Sequence, residues 1–181
     1  GTQMPITSEQ QNEILDVCNG FFNGAPGQTF LNDFIAAIEG GATIEQLAAA
    51  FEASSVFNET ILGGQNTTAA KVANLMKTYG LTPGNTDPAS ADAIAEAFFT
   101  AQLDAGVSYA DVVLQAVAYL EGQVPDEFLP TQILYMNKAA VAAAYSADQS
   151  SEDISVLQGL YEGLTGDALL TPEEIEAIVN P

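Results

Sequence analysis

The stretch Phe30 to Phe57, FLNDFIAAIEGGATIEQLAAAFEASSVF, decides the fold, because it reads as a helix, a glycine stop, a capped second helix and then a further cap. Phe30, Phe34, Ile35 and Ile38 recur as one apolar stripe on a helix of about 3.6 residues per turn. Gly40 and Gly41 end that helix, since glycine takes the left-handed conformation after a last turn without a Cβ penalty. Thr43 then offers its hydroxyl as an N-cap, with Gln46 at capping-box distance. Ile44, Leu47, Ala48 and Phe51 carry the next apolar face as far as Ser54 and Ser55. One of these serines caps a segment bearing Val56, Phe57, Ile61 and Leu62. Every feature of the stretch serves to bury a stripe or to stop a helix, so it predicts a tight helical hairpin.

Composition narrows the class. The 181 residues suffice for a domain that buries roughly 70% of its unfolded surface. With 24 acidic residues, 3 lysines and no arginine or histidine, the formal charge is −21. Nucleic acid and anionic membrane surfaces, which both require Lys and Arg, are excluded as partners. The acidic excess attracts cations, so divalent ions or high salt are expected companions. Without histidine, Ser-His-Asp and Cys-His catalysis and the common histidine-ligated zinc sites are impossible. Acid-base chemistry would fall to carboxylates, lysines or tyrosines. Cys18, the single cysteine, sits among Ile14, Leu15, Val17, Phe21 and Phe22 and reads as a small buried hydrophobe. No run approaches the roughly 18 apolar residues of a membrane span. Met4 reads as a natural start after three residues left from cloning. Any export address is then expected beyond Pro181 or already removed.

The rest of the chain repeats the same grammar. Pro5 and Thr7 or Ser8, with Gln10 or Gln11, open a first helix carrying Ile14, Leu15, Cys18, Phe21 and Phe22 and stopping between Asn19 and Gly24. Gly24-Ala25-Pro26-Gly27 is loop chemistry. It follows a helix rather than a strand and has no nearby cation, so it is not a phosphate cradle. Thr67 or Thr68 caps a helix with Val72, Leu75, Met76 and Tyr79 inside, Lys71 and Lys77 outside, and Gly80 at its end. The run 81–90, LTPGNTDPAS, is the most linker-like segment and divides the chain into an N-terminal helical half, 1–80, and a C-terminal half, 91–181, of one compact domain. A helix from about Ser90 to Ala105 holds Ile94, Ala95, Phe98, Phe99 and Leu103, and Ser108 caps the next. The junctions Gly41–Leu47 and Gly106–Val112 share a glycine, a hydroxyl cap and matching apolar positions, which suggests a duplicated helical hairpin. Thr131 is expected to cap a helix with Ile133, Leu134, Met136, Val141 and Tyr145. Ser150 and Asp153 cap another, and Thr171, Pro172 and Glu174 start the last. No alternating β pattern occurs, so the fold class is all-α, a bundle of nine to ten short helices in two related halves.

Few residues point to chemistry. Glu173-Glu174 and Glu152-Asp153 lie in expected first turns, where negative charge complements the helix dipole. Asp148–Asp153 lacks the glycine of an EF-hand loop and reads as a capped turn, and Asn85-Thr86-Asp87 is similarly oxygen-rich. Tyr109, Tyr119, Tyr135 and Tyr145 suggest a sugar-binding ledge by type, but their helical spacing places them in or beside the core. Asn137 and Lys138 interrupt an Ala- and Val-rich helix, and the Asn137 amide is expected to tie a neighbouring turn. No catalytic or cofactor-binding residue is assigned, and no metal ligands are named.

The pattern Gly41-x-Thr43-x-x-Gln46-Leu47-x-x-x-Phe51-x-x-Ser54-x-x-Phe57, preceded by Phe-Leu-x-x-Phe and followed later by Asn137-Lys138-x-x-Val141-x-x-x-Tyr145, resembles the helical repeat of bacterial surface-layer and large type I-secreted, calcium-dependent proteins. That repeat is related to phycobilisome linker domains. The resemblance implies an exported, non-enzymatic structural domain at the bacterial cell surface. It would bind itself or other cell-surface proteins, or lipopolysaccharide glycan through divalent cations, with calcium as the implied ion. The Gly- and Asp-rich calcium nonapeptides of such proteins are absent from this chain. The competing expectation is an acidic accessory or ligand-binding domain of a secreted protein, with a small-molecule cleft near Leu81 to Ser90.

Overall fold

A computed structural model describes residues 5–181; Met4, the expected start, lies outside them. The described residues form nine α-helices: α1 (Ser8–Phe22), α2 (Gln28–Glu39), α3 (Ile44–Ala53), α4 (Thr68–Thr78), α5 (Ala91–Asp104), α6 (Tyr109–Glu121), α7 (Leu129–Asp148), α8 (Ile154–Gly159) and α9 (Pro172–Val179). A π-helical segment, Val56–Ile61, follows α3, and a 3₁₀ turn, Asp126–Phe128, precedes α7. No strand occurs among the described residues.

The caps fall where side-chain chemistry puts them. Thr7 with Gln10, Thr43 with Gln46 and Thr171 with Glu174 each form a complete capping box. Thr67, Ser90, Ser108 and Asp153 cap α4, α5, α6 and α8. At the stop between α2 and α3, Gly41 has φ +109°, its N–H donates to the Ile38 carbonyl, and the Ala42 N–H donates to that of Ala37. This is a Schellman pair of bonds, which satisfies carbonyls that the last turn leaves open. The same pair closes α5 through Gly106 and Val107, and α4 through Gly80 and Leu81. Because α4 uses this stop without an immediately following capped helix, the stop alone does not mark a repeat.

Four expectations are corrected. Thr131 does not cap α7: the helix starts two residues earlier out of the 3₁₀ turn, with Phe128 at the N-cap and Pro130 in the first turn, and Thr131 is buried within the helix. Ser150 caps nothing, since Asp153 alone accepts from the Ser155 N–H at the start of α8. Glu152 serves a different helix from the one beside it in sequence. Its two carboxylate oxygens accept from the Gly27 and Phe30 N–H groups, at 2.6 and 2.9 Å, and so close the N-terminus of α2 from across the molecule. Gly27 itself has no side chain for that task. Finally, α2 buries Leu31, while Phe30 is exposed and Phe34, Ile35 and Ile38 are half-buried, because the helix lies at the edge of the bundle.

Among the described residues one core runs from α1 to α9. Its aromatic centre joins α1, α3, the π segment and α6: Phe21, Phe57 and Tyr109 sit with ring centroids 4.7–5.0 Å apart, and Phe51 packs edge-on against Phe22 and Phe34. Such tilted and edge-to-face pairs add about 0.5–1.5 kcal/mol each beyond the area they bury. Gly20 lets α1 and α6 approach. A Cβ there would lie 2.5 Å from Val113 Cγ1, and the Tyr109 hydroxyl donates to the Gly20 carbonyl at 2.8 Å. In the second part of the chain α5 packs along α4, with Tyr79 stacked on Phe99. The 81–90 segment is tied down rather than loose. Leu81 is buried, and the Thr82 and Gly84 N–H groups donate to Asp92 and Glu96 of α5. No helix of the described residues is long and apolar enough to cross a membrane.

Candidate functional site: an apolar cleft beside buried polar ties

Catalysis needs polar side chains that converge on an opening, whereas the buried polar residues of this fold bond inward. They tie elements together instead. Asn137, 2% exposed, donates through Nδ2 to the Thr165 and Ala168 carbonyls and accepts from the Leu170 N–H at 2.9 Å. The expected tie to a neighbouring turn is therefore present, and it holds the loop that leads into α9. The Lys138 Nζ donates to Asn23 Oδ1 at 2.8 Å and to the Thr78 carbonyl at 2.6 Å, and lies 5.5 Å from the Tyr161 ring centroid. It thereby joins the ends of α1 and α4 to α7, and its charge rests on oxygens and an aromatic face. Burial, then the nearby Lys77 charge, pushes its ammonium down to about 8. The Tyr161 hydroxyl donates to Asn19 Oδ1, and the Ser146 hydroxyl donates to the Pro26 carbonyl. The Cys18 thiol is buried and pushed up by desolvation, so it is a packed apolar group and not a thiolate.

Asp16 is the exception that sequence reading missed. It stands in the apolar run of α1, 4% exposed, with Tyr135 and Glu121 against it. Desolvation, reinforced by the Glu121 carboxylate, pushes its carboxyl up to about 8, while the Tyr135 phenol opposes that rise. Burial therefore favours the neutral acid over the carboxylate. Its position between Leu15 and Val17 was the available signal. For Glu152 no local signal exists, because its partners lie over a hundred residues away in sequence.

The oxygen-rich stretches are likewise engaged. Asn85 Oδ1 accepts from the Asp87 N–H, Asp87 Oδ1 from the Ala89 N–H, and Asp153 Oδ1 from the Ser155 N–H. Among the described residues no group of three or more His, Cys, Asp or Glu side chains gathers as a metal site.

Two apolar hollows open at the surface. The larger, about 440 Å³, lies beside α2 and includes Phe22, Phe30, Phe34, Phe51 and Val56, with Glu152 at its wall. The second, about 270 Å³, lies between α5 and α6 and is walled by Ile94, Phe98, Phe99, Tyr119, Leu120 and Phe128. Tyr79 forms part of its floor, and its buried hydroxyl has no hydrogen-bond partner among the described residues. Of the four tyrosines expected in or beside the core, Tyr109, Tyr135 and Tyr145 are buried. Tyr119 is 45% exposed and edges this cleft. Burial, then the Glu127 carboxylate, raises the Tyr119 phenol above its ordinary value. Adjoining the cleft through Thr131 is a more polar hollow of about 390 Å³, reached by Leu81, Ser90, Asp92 and Glu127, which is where a cleft near 81–90 was expected. Comparison of the chain with protein-family models, with curated proteins and with solved structures finds no match.

Proposed function

We propose that this chain is a non-enzymatic, all-helical scaffold domain of the surface-layer kind, working outside the cell by self-assembly or by attachment to bacterial cell-surface components. The observation that carries this reading is the use of the buried polar groups. Asn137, Lys138 and Ser146, together with the half-buried Glu152, each join separate elements of the fold. A charge of −21 gives such a domain strong self-repulsion. Cations then enter as diffuse counterions that lower this repulsion and bridge the acidic surface to other acidic surfaces, including lipopolysaccharide. The alternative, an acidic accessory domain that binds a small molecule, draws on the hollow near 81–90 and the one beside α2, whose volumes of about 390 and 440 Å³ fall within the roughly 300–1,000 Å³ of ligand pockets. The cleft between α5 and α6 falls just below that range and its lining is almost wholly apolar, which favours a surface contact over a small ligand.

Sedimentation velocity with millimolar calcium and with chelator, together with co-sedimentation on isolated bacterial envelopes, tests the proposal. The expected result is calcium-dependent assembly or envelope retention that the chelator reverses. A chain that stays monomeric and unretained in both conditions overturns it.

A further inference from the structure

We propose that the cleft between α5 and α6 is a docking groove for an amphipathic helix of a protein partner, one that presents large apolar side chains flanked by lysine or arginine. The inference rests on the reading of the chain as a binding module, and it names a surface and a partner chemistry for it.

Exposure marks the surface. Ile94, Phe98 and Tyr119 are 39%, 42% and 45% exposed, while Phe99 on α5 and Leu120 on α6 beside them are buried. Ile94 and Phe98 are spaced i, i+4 on α5, and Tyr119 faces them from α6, so the three border one depression. Phe99, Leu120 and Phe128 form its inner wall. A volume of about 270 Å³ suits one or two inserted side chains better than a whole ligand. The lining is almost wholly carbon, which a sugar ring with its hydroxyls would not match.

Charge selects the occupant. Asp92 and Glu127 stand around the adjoining hollow that shares Thr131 with the cleft, and the Glu127 carboxylate is near enough to Tyr119 to raise its phenol. None of the three lysines lines either cavity. A second copy brings its own charge of −21, and a fatty-acid carboxylate or anionic lipid meets the same acidic rim. A cation-flanked apolar helix matches both the lining and the rim, which is the helix-in-groove mode of recognition.

The probe is a fluorescein-labelled synthetic helical peptide with leucines at i, i+3, i+4 and i+7 and lysines flanking that stripe, measured by anisotropy on the full chain at about 150 mM salt, where loose charge attraction is screened. Binding is expected to weaken about tenfold or more in the Phe98→Ala/Tyr119→Ala variant and to stay within about twofold in Phe30→Ala, which alters the other hollow. A glutamate-flanked peptide and a scrambled lysine peptide without the stripe are each expected to bind at least about tenfold more weakly. Gln115→Lys places a positive charge on the exposed lining without removing core, and is expected to weaken the peptide as well even if the double variant loses helical circular dichroism. No binding by the lysine peptide, equal binding by the scrambled peptide, or indifference to both cleft variants overturns the proposal. So does a dimer of the free chain that the Phe98 change dissolves, because the occupant is then a second copy. Envelope retention that survives while peptide binding fails removes this groove and leaves the scaffold reading standing. The reverse outcome does the opposite.

Discussion

Replacing Asn137 by Ala is expected to lower the unfolding free energy by about 2–3 kcal/mol in urea denaturation. The substitution removes three hydrogen bonds at once from a side chain that is 2% exposed. Ordinary intramolecular hydrogen bonds contribute about 1 kcal/mol each, and a buried group left without its partner costs more. The loss is tempered because Thr165 and Ala168 are exposed, so water can reach the carbonyls they present. The loop carries the chain into α9, which packs on α7, so faster hydrogen exchange should be concentrated in α9. Asn85→Ala, on the exposed 81–90 segment, provides the contrast and should stay within about 0.5 kcal/mol. Equal effects of the two substitutions would show that the Asn137 tie contributes nothing special.

The second large effect is a dependence on pH. Asp16 has a carboxyl raised to about 8, so the folded state prefers its neutral form. A raised folded value means that the stabilisation is complete below the unfolded value near 4. It is then lost progressively as pH rises toward and through 8. Between pH 6 and pH 9 this loss is on the order of 3 kcal/mol, from about 1.4 kcal/mol per pH unit below the folded value. Lys138 acts in the opposite sense. Its ammonium is depressed to about 8, so the cost of burying the charge is complete below that pH and is relieved as pH rises from 8 toward 10.5. The chain has no histidine to obscure this window. Asp16→Asn should therefore stabilise the protein at pH 9 far more than at pH 5, and should leave Lys138 and the buried Cys18 thiol, which act in opposite senses above pH 8, to set the rest of the curve. A parallel offset at all pH values would mean that Asp16 is ionised in the fold across the range.

How much could be read in advance differs by kind of interaction. Caps and stops are local, and Thr43, Ser108 and Thr171 act where their spacing put them, as does Thr67 of the Thr67-Thr68 pair. The Asn137 tie was legible as a polar interruption in an apolar helix, though its partners were not. Glu152 was misassigned because sequence neighbours suggested the dipole of α8, whereas tertiary folding brings it to α2, a helix whose own N-cap is glycine. The apolar stripes overstated burial in α2 and α5. Periodicity shows which side of a helix is apolar, but not whether a neighbour covers it, and Phe30, Ile94 and Phe98 remain exposed. The cleft is the sum of such uncovered positions from α5 and α6, so no single stretch could announce it.

On the scaffold proposal the interior polar groups hold this fold together and none acts as a reagent. Lys138 is the sharpest case, since a buried amine depressed to about 8 is also what a nucleophilic lysine looks like. Competitive acylation of the folded protein at pH 8, read by mass spectrometry, compares it with Lys71 and Lys77. The account predicts that Lys138, held on Asn23 and the Thr78 carbonyl, is modified last and only as the protein unfolds. Preferential modification of Lys138 in the native state would contradict it.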